Sequence, residues 1–207
     1  MSPKNINEIT TQIRGMHGKF TEYNNAKINA LHASLATPEL INLFNFIPFL
    51  FTVNQPEFPG YLKEITVPHG IENYQPHPKL LSQLKISNPS FIPQKAPGEP
   101  LIRLFALIGS AGTIAFTQDS DLDFWICGKF SLLDPESLSL LHQKCRIIEK
   151  WVMDIHNREV HFFLNDIDSV KKNIFDEDEE YGLSGTSLGQ MLKEEFYRSS
   201  IIINNVT

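Results

Sequence analysis

Two aspartates separated by one residue, Asp121 and Asp123, are the side chains of this sequence best suited to do chemistry. Because successive side chains of a β-strand alternate between its faces, both carboxylates project from one face, with Cα atoms about 7 Å apart. Neighbouring carboxylates repel each other and are costly to desolvate, and a divalent cation bound between them removes both penalties. Mg²⁺ takes carboxylate and phosphate oxygens as ligands. The pair therefore predicts a metal site for a phosphorylated substrate; the alternative is a polar strand edge with two solvated carboxylates.

A turn of small residues precedes the aspartates and has the composition of a phosphate-binding loop. It begins with Gly109 and Ser110 and continues through Ala111, Gly112 and Thr113. Glycine allows the backbone to turn sharply and to approach a ligand closely. The small residues after it are predicted to open a short helix, whose N-terminal N–H groups point at an anion. Ser110 can add a hydroxyl donor to a phosphate oxygen, so the turn predicts a site for phosphate groups.

Two predicted strands carry these motifs. Residues 101–108 (LIRLFALI) are almost continuously apolar, which is typical of a central strand covered on both faces. The second strand contains the aspartates, and its apolar residues Leu122, Phe124 and Ile126 point the opposite way, into a core. A strand, a Gly-Ser turn and an Asp-x-Asp strand in this order form a far more specific pattern than either motif alone.

A third strand is predicted over residues 158–164 (REVHFFL). Its alternation places Glu159, His161 and Phe163 on one face and apolar residues on the other. The helix before it is predicted to begin at a proline, with Asp134 as its N-cap. An apolar stripe with three- and four-residue spacing follows, so this helix is expected to pack on the sheet.

The first half of the chain is predicted to be helical and then irregular. Residues 39–51 predict a helix that Pro48 disturbs, and residues 54–100 are rich in proline, which predicts an irregular connector packed on the core. At the other end of the chain, a last helix is predicted from about residue 187 into Ile201. A first helix is predicted from apolar residues at helical spacing: Ile6, Ile9, Ile13, Met16, Phe20 and Tyr23.

The composition limits the class of protein. With 207 residues, 42% of them hydrophobic, the chain can bury one core, as a single domain or a domain with a helical extension. A net charge of −6 with scattered basic residues argues against duplex DNA or a long RNA as the substrate. No apolar run approaches the length of a membrane span, and the N-terminus lacks the apolar region of a signal peptide. Cys127 and Cys145 are expected to be buried, reduced thiols, which fits a cytoplasmic protein.

Several blocks of the sequence resemble a known family. Gly-Ser followed at this distance by a hydrophobic-flanked Asp-x-Asp is similar to the signature of the polymerase β-like nucleotidyltransferase superfamily. A closer resemblance, to the N-terminal catalytic domain of class I adenylate cyclases, spans residues 59–198 in the family's order. It is carried by PGYLKEITVPHGI, GSAGTIAFTQDSDLDFWIC, LLHQKCRIIEKW, EVHFFLND and KEEFYR.

The resemblance implies an α+β fold of the polymerase β-like nucleotidyltransferase type, with a small mixed sheet flanked by helices and an N-terminal helical extension. We therefore expect a helical segment over residues 1–53, the connector over 54–100 packed on the core, and a nucleotidyltransferase core over 101–207.

The resemblance also implies a third carboxylate, at Glu159. Asp121, Asp123 and Glu159 would then be the catalytic residues and the ligands of two Mg²⁺ (or Mn²⁺) ions. The alternative for Glu159 is an exposed residue at the start of the strand, paired with the neighbouring Arg158. Asp166 and Asp168, just past the predicted strand, are the other candidates for the third carboxylate.

Nucleotide binding is implied for the Gly-Ser turn, through Gly109, Ser110, Gly112 and Thr113, and for one residue far from it, Arg198. The KEEFYR block contains Arg198, which can reach a phosphate or instead pair with a glutamate one turn earlier on its helix.

The activity implied is conversion of ATP to cyclic AMP and pyrophosphate by two metal ions. The three carboxylates do not distinguish this reaction from transfer of a nucleotide monophosphate to a protein, a small molecule or an RNA end. A non-catalytic nucleotide-binding module is the third hypothesis. Family members are much longer, with a regulatory region after the catalytic domain, so the expected partners are ATP and such a C-terminal region.

Overall fold

A computed structural model of the protein describes residues 3–35, 37–64, 66–92, 98–111, 113, 115–117, 120–171, 194 and 200–204. The helices are α1 (Pro3–Ser34), α2 (Pro38–Leu50), α3 (Pro78–Ser87), α4 (Pro135–His156) and α5 (Ile167–Lys171). The strands are β1 (Ile102–Ile108), β2 (Leu122–Gly128), β3 (Val160–Asp166) and β4 (Ile201–Ile202), and a 3₁₀ turn covers Phe130–Leu132. The predicted α+β class, a small sheet with helices, is confirmed.

The four strands form one mixed sheet in the order β3-β2-β1-β4. β1 is antiparallel to both β2 and β4, while β2 and β3 are parallel. Parallel neighbours need a long crossover connection, and α4 provides it. This topology brings the end of β1 to the beginnings of β2 and β3, because Ile108 pairs with Asp123, which in turn pairs with His161.

One face of the sheet carries the main core. The predicted inward residues of β2, Leu122, Phe124 and Ile126, are buried there, as expected. α4 and the residues around the end of α2 cover them, and the Phe51 ring lies 5.3 Å from that of Phe105 on β1. The apolar stripe of α4 is part of this core, which confirms that the helix packs on the sheet.

On the opposite face, the part of the chain that the structure describes forms a second apolar cluster at one end. A small cluster of Ile108, Trp125, Cys127 and Val170 lies there, with α5 packed on it. Both cysteines are buried free thiols, as predicted. Burial raises the pKa of Cys127 to about 12, so this thiol stays protonated at neutral pH. At the other end of this face, where β2 and β3 begin, the side chains of Asp121 and Glu159 are exposed, and we call this the open end of the sheet.

The predicted helix starts have the expected local chemistry. Asp134 caps α4, because its Oδ1 accepts the backbone N–H of Ser137 at 2.8 Å. Thr37 caps α2 in the same way, and Pro38 occupies the first turn. The first predicted helix is confirmed as α1, and its apolar residues from Ile6 to Tyr23 are exposed. None of the helices within the described ranges is both long and apolar enough to cross a membrane.

Four local predictions require correction. The connector contains a helix, α3, which begins at a proline after the His77 side chain accepts the Lys79 N–H. The described residues after Gly109 form successive turns in place of a short helix. Ile201 belongs to β4 and not to a helix, because its backbone pairs with the edge of β1. The third strand begins two residues later than predicted, so Glu159 precedes it and Asp166 ends it.

Candidate active site

The pairing of β2 with β3 assembles the candidate site from two short segments. Asp123 lies opposite His161 in the parallel register, and Leu122 lies opposite Val160. Asp121 and Glu159 come directly before these pairs, where the Leu122 N–H donates to the Glu159 carbonyl oxygen at 3.1 Å. Paired residues on neighbouring strands share a face and are about 4.8 Å apart. Asp121, Asp123, Glu159 and His161 therefore stand together at the open end of the sheet.

Three of these side chains bring their ligand atoms into one cluster. One oxygen of Asp121, one oxygen of Glu159 and one nitrogen of His161 all lie within 4.8 Å of one another. The distance from Glu159 Oε2 to His161 Nε2 is 3.8 Å. Both carboxylates are exposed and the imidazole is half-buried, so an ion from solvent can reach them. Ligand atoms on one metal ion are about 2.0–2.2 Å from it, so the three atoms would have to approach one another slightly to surround a single ion.

The Gly-Ser turn approaches the fourth side chain, Asp123. Gly109 has a φ of +81°, in the left-handed region that favours glycine. A Cβ atom at this position would lie 3.4 Å from Asp123 Oδ2, which shows how closely the turn passes the carboxylate. The structure thus places the predicted phosphate turn beside the predicted metal ligands, as the strand–turn–strand pattern required.

Hydrogen bonds inside the turn hold its shape. The Thr113 N–H and Oγ1 both donate to the Ser110 carbonyl oxygen, at 3.0 and 2.7 Å. Thr113 Oγ1 also accepts the Ala115 N–H at 3.2 Å. The Thr113 hydroxyl is thus engaged by the turn itself, and its contact with a nucleotide stays a prediction.

The segment before Asp121 is anchored to the start of β3. Arg158 is buried, and its guanidinium donates to the Ser120 carbonyl oxygen. Ser120 Oγ in turn accepts the Thr117 N–H at 2.9 Å. Arg158 therefore fixes the position of the residue next to Asp121, while the neighbouring Glu159 carboxylate faces His161.

Asp166 and Asp168, the other candidates for the third carboxylate, lie at the far end of β3. Asp166 pairs with Gly128 and lies seven residue steps along the strand from Glu159, roughly 23 Å away. Its buried carboxylate accepts the N–H groups of Ser131, Asp168 and Ser169 at 2.9–3.2 Å. Burial acts to raise the pKa of Asp166, but these hydrogen bonds outweigh it and hold the pKa below its usual value. Asp166 ties α5 to the 3₁₀ turn and cannot reach Asp121.

Two predicted nucleotide-binding residues, Gly112 and Arg198, lie outside the described residues, and their roles stay predictions. His161 was not predicted as a site residue. The sequence signal for it was the Glu159-x-His161 spacing, which places both side chains on the face that also carries the aspartates.

Two other features of the described residues lie away from this corner. Lys144 on α4 is buried, and its Nζ donates to the carbonyl oxygens of Val53 and Gly60, which ties the connector to the core. Burial lowers the pKa of Lys144 to about 8.

A cavity of about 460 Å³ lies between α2, α3 and the end of α4, lined by residues that include Trp151 and His156. None of the candidate site residues that the structure describes lines this cavity.

Comparison with known proteins relates this chain to one family. A family model described as the adenylate cyclase NT domain matches residues 12–205. The adenylate cyclase of Escherichia coli (strain K12) is 32% identical over 171 residues, which are 79% of this chain and 19% of that protein. Those of Salmonella typhimurium and Yersinia pestis are 33% and 31% identical over 172 residues, with the same coverage. The chain thus spans about a fifth of the length of these relatives, and no solved structure gives a significant match.

Proposed function

The chain belongs to the adenylate cyclase N-terminal domain family, and we propose that it is the catalytic domain of an adenylate cyclase. The reaction would convert ATP to cyclic AMP and pyrophosphate. The observation that supports it most is the corner of the sheet where Gly109 approaches Asp123 and where Asp121 and Glu159 stand beside them. Because the chain spans about a fifth of the relatives' length, the proposal includes a C-terminal regulatory region as partner.

The proposal includes the polymerase β-like nucleotidyltransferase fold for residues 101–207, with residues 1–53 as a helical segment and 54–100 as a connector packed on the core. Support comes from the order of elements: β1 leads into the Gly-Ser turn, and its antiparallel neighbour β2 carries the aspartates. The parallel strand β3 then presents Glu159 on the same face.

The residues of this corner fit two Mg²⁺ or Mn²⁺ ions, because oxygen ligands from adjacent strands converge at a solvent-accessible edge. Asp121 and Asp123 would hold both ions, and Glu159 would add a ligand to the one nearer the attacking group. When bound, the metals supply charge neutralisation on the triphosphate and a lowered pKa for the ribose 3′-hydroxyl.

The chain's own part in the reaction is to position the nucleotide. Backbone N–H groups of Gly109, Ser110 and Gly112 would hold the β- and γ-phosphates, since positioning and charge stabilisation dominate phosphoryl chemistry. The 3′ oxygen then forms a bond to the α-phosphorus, and the bond to the pyrophosphate oxygen breaks. The hydroxyl proton passes to solvent at the open end of the sheet.

The test is to incubate the protein with ATP and Mg²⁺ or Mn²⁺ and to identify the products by mass spectrometry. Cyclic AMP and pyrophosphate in equal amounts are expected, and Asp123→Asn should abolish both. Asp168→Asn is the matched control, because it removes an exposed carboxylate at the far end of β3.

Two other outcomes would overturn the proposal in distinguishable ways. A nucleotide monophosphate joined to an added acceptor, without cyclic AMP, would identify a nucleotidyltransferase that uses the same carboxylates. Tight ATP binding in calorimetry without any product would identify a non-catalytic nucleotide-binding module.

A further inference from the structure

The ligand cluster at the open end of the sheet contains a nitrogen as well as oxygens. Its members are Asp121, Glu159 and His161, and the third of these is an imidazole. A site for Mg²⁺ alone needs only oxygens, so the presence of His161 calls for its own explanation.

The position of His161 is set by the sheet and not by a loop. It lies within β3, directly opposite Asp123 on β2 and two residues after Glu159. The imidazole therefore shares a face with the carboxylates, and its Nε2 is 3.8 Å from Glu159 Oε2. Its ring is half-buried, and one of its nitrogens lies within 4.8 Å of an oxygen from each of the two carboxylates.

The donor set discriminates between metal ions. Mg²⁺ requires near-octahedral oxygen coordination, whereas imidazole nitrogen suits Zn²⁺ and its transition-metal neighbours. Zn²⁺ commonly takes three protein ligands from histidine and carboxylate and leaves a fourth position open. Ligand atoms within 4.8 Å of one another can meet around such an ion with small side-chain rotations.

We propose that Asp121, Glu159 and His161 form a three-ligand site for Zn²⁺, which binds there in preference to Mg²⁺ and without nucleotide. The binding itself does not depend on the proposed function. The expected inhibition does depend on the proposed function. Because Zn²⁺ would occupy Asp121 and Glu159, it should inhibit the proposed cyclase reaction in competition with Mg²⁺.

The binding is tested by calorimetry with Zn²⁺ on the metal-free full chain, and by the visible absorption of Co²⁺ as a spectroscopic substitute for zinc. One Zn²⁺ per chain is expected. His161→Ala should weaken Zn²⁺ binding by at least about tenfold, the lower end of the losses seen for even indirect contacts to a metal. It should weaken Mg²⁺ binding by a smaller factor, and the Co²⁺ spectrum should lose intensity.

His17→Ala is the matched control, because it removes an exposed imidazole on α1, outside the sheet. Circular dichroism and the melting temperature establish that each variant is folded. Equal Zn²⁺ affinity in the wild type and His161→Ala would overturn the proposal, and so would an equal loss in His17→Ala.

The inhibitory consequence is tested separately, at fixed Mg²⁺ and ATP. The Zn²⁺ concentration that halves the rate should rise with the Mg²⁺ concentration, and it should rise at least tenfold in His161→Ala. If zinc binds at His161 but leaves the rate unchanged, the proposed inhibition is refuted and the proposed zinc site stands. Absence of cyclic AMP under any condition would count against the proposed function, and the calorimetry would still decide the zinc site.

Discussion

Substitution of Gly109 by alanine tests whether the close approach of the turn to Asp123 matters for chemistry. Gly109 has a φ of +81°, and its Cβ would lie 3.4 Å from Asp123 Oδ2. The chain offers a matched control at Gly98, which has a φ of +90° and nothing within 4 Å of its Cβ. Both variants share the backbone strain, and only Gly109→Ala brings a new methyl group into van der Waals contact with a carboxylate of the site.

The expected loss of stability is the same for the two variants. An L-residue in the left-handed region costs roughly 1–2 kcal/mol, and each kcal/mol lowers the melting temperature of a chain this long by about 2–4 °C. Both melting temperatures should therefore fall by about 2–8 °C and leave the protein folded at room temperature.

The expected loss of function differs between them. The new methyl group of Gly109→Ala occupies the side of the Asp123 carboxylate that faces the turn, where phosphates and metal would meet. Relief of the backbone strain would also shift the next peptide group, whose Ser110 N–H is proposed to bind phosphate. We expect the rate of cyclic AMP formation to fall at least about tenfold, equivalent to about 1.4 kcal/mol of transition-state stabilisation, while Gly98→Ala stays near the wild type.

The assay measures cyclic AMP production at saturating Mg²⁺ and ATP, with Mg²⁺ affinity measured by calorimetry on the same samples. If Gly109→Ala and Gly98→Ala lost equal stability and retained equal rates, the turn would have no part in phosphate binding. Equal losses of rate in both variants would instead indicate a general effect of strain.

Three further predictions concern the carboxylates. Asp121→Asn and Asp123→Asn should each reduce the rate of cyclic AMP formation more than about tenfold, with unchanged or higher melting temperature in metal-free buffer, because the amide relieves charge repulsion; a retained rate would refute the metal assignment. Glu159→Gln should lower kcat by orders of magnitude while the calorimetric affinity for ATP changes only a few-fold, the pattern of an interaction used in the transition state. A variant that lost ATP affinity in proportion to kcat would contradict this division of roles. Asp166→Asn should cost about 1–3 kcal/mol in urea unfolding at neutral pH, since the amide keeps only one of the two acceptor oxygens and replaces the other with an NH₂ donor that faces an N–H group. Because the folded pKa of Asp166 is lowered, its stabilisation is present above the unfolded value of about 3.9 and is lost as pH falls through the folded pKa, so the difference from wild type should shrink in acid. A cost that did not change with pH would show that the carboxylate charge is not involved.

Much of the local structure follows from the sequence because its causes are local. The alternation of polar and apolar residues places Asp121 and Asp123 on one face, with Phe124 buried on the other. Asp134 followed by a proline predicts the start of α4, because an N-cap acts within a single turn of the chain. The sequence also predicts the Gly-Ser turn after a buried strand, and Gly109 in this turn adopts a positive φ.

Tertiary structure decided which residues meet across strands. The parallel register of β2 and β3 sets Asp123 opposite His161 and brings Glu159 beside Asp121, and nothing within either segment encodes that alignment. The same register sends Asp166 to the far end of the sheet, where three N–H groups occupy it. Ile201, in a segment with helical spacing, becomes a strand because the free edge of β1 offers its backbone partners. Spacing along one segment determines the face on which a side chain stands, whereas hydrogen bonds between segments distant in sequence determine its neighbours.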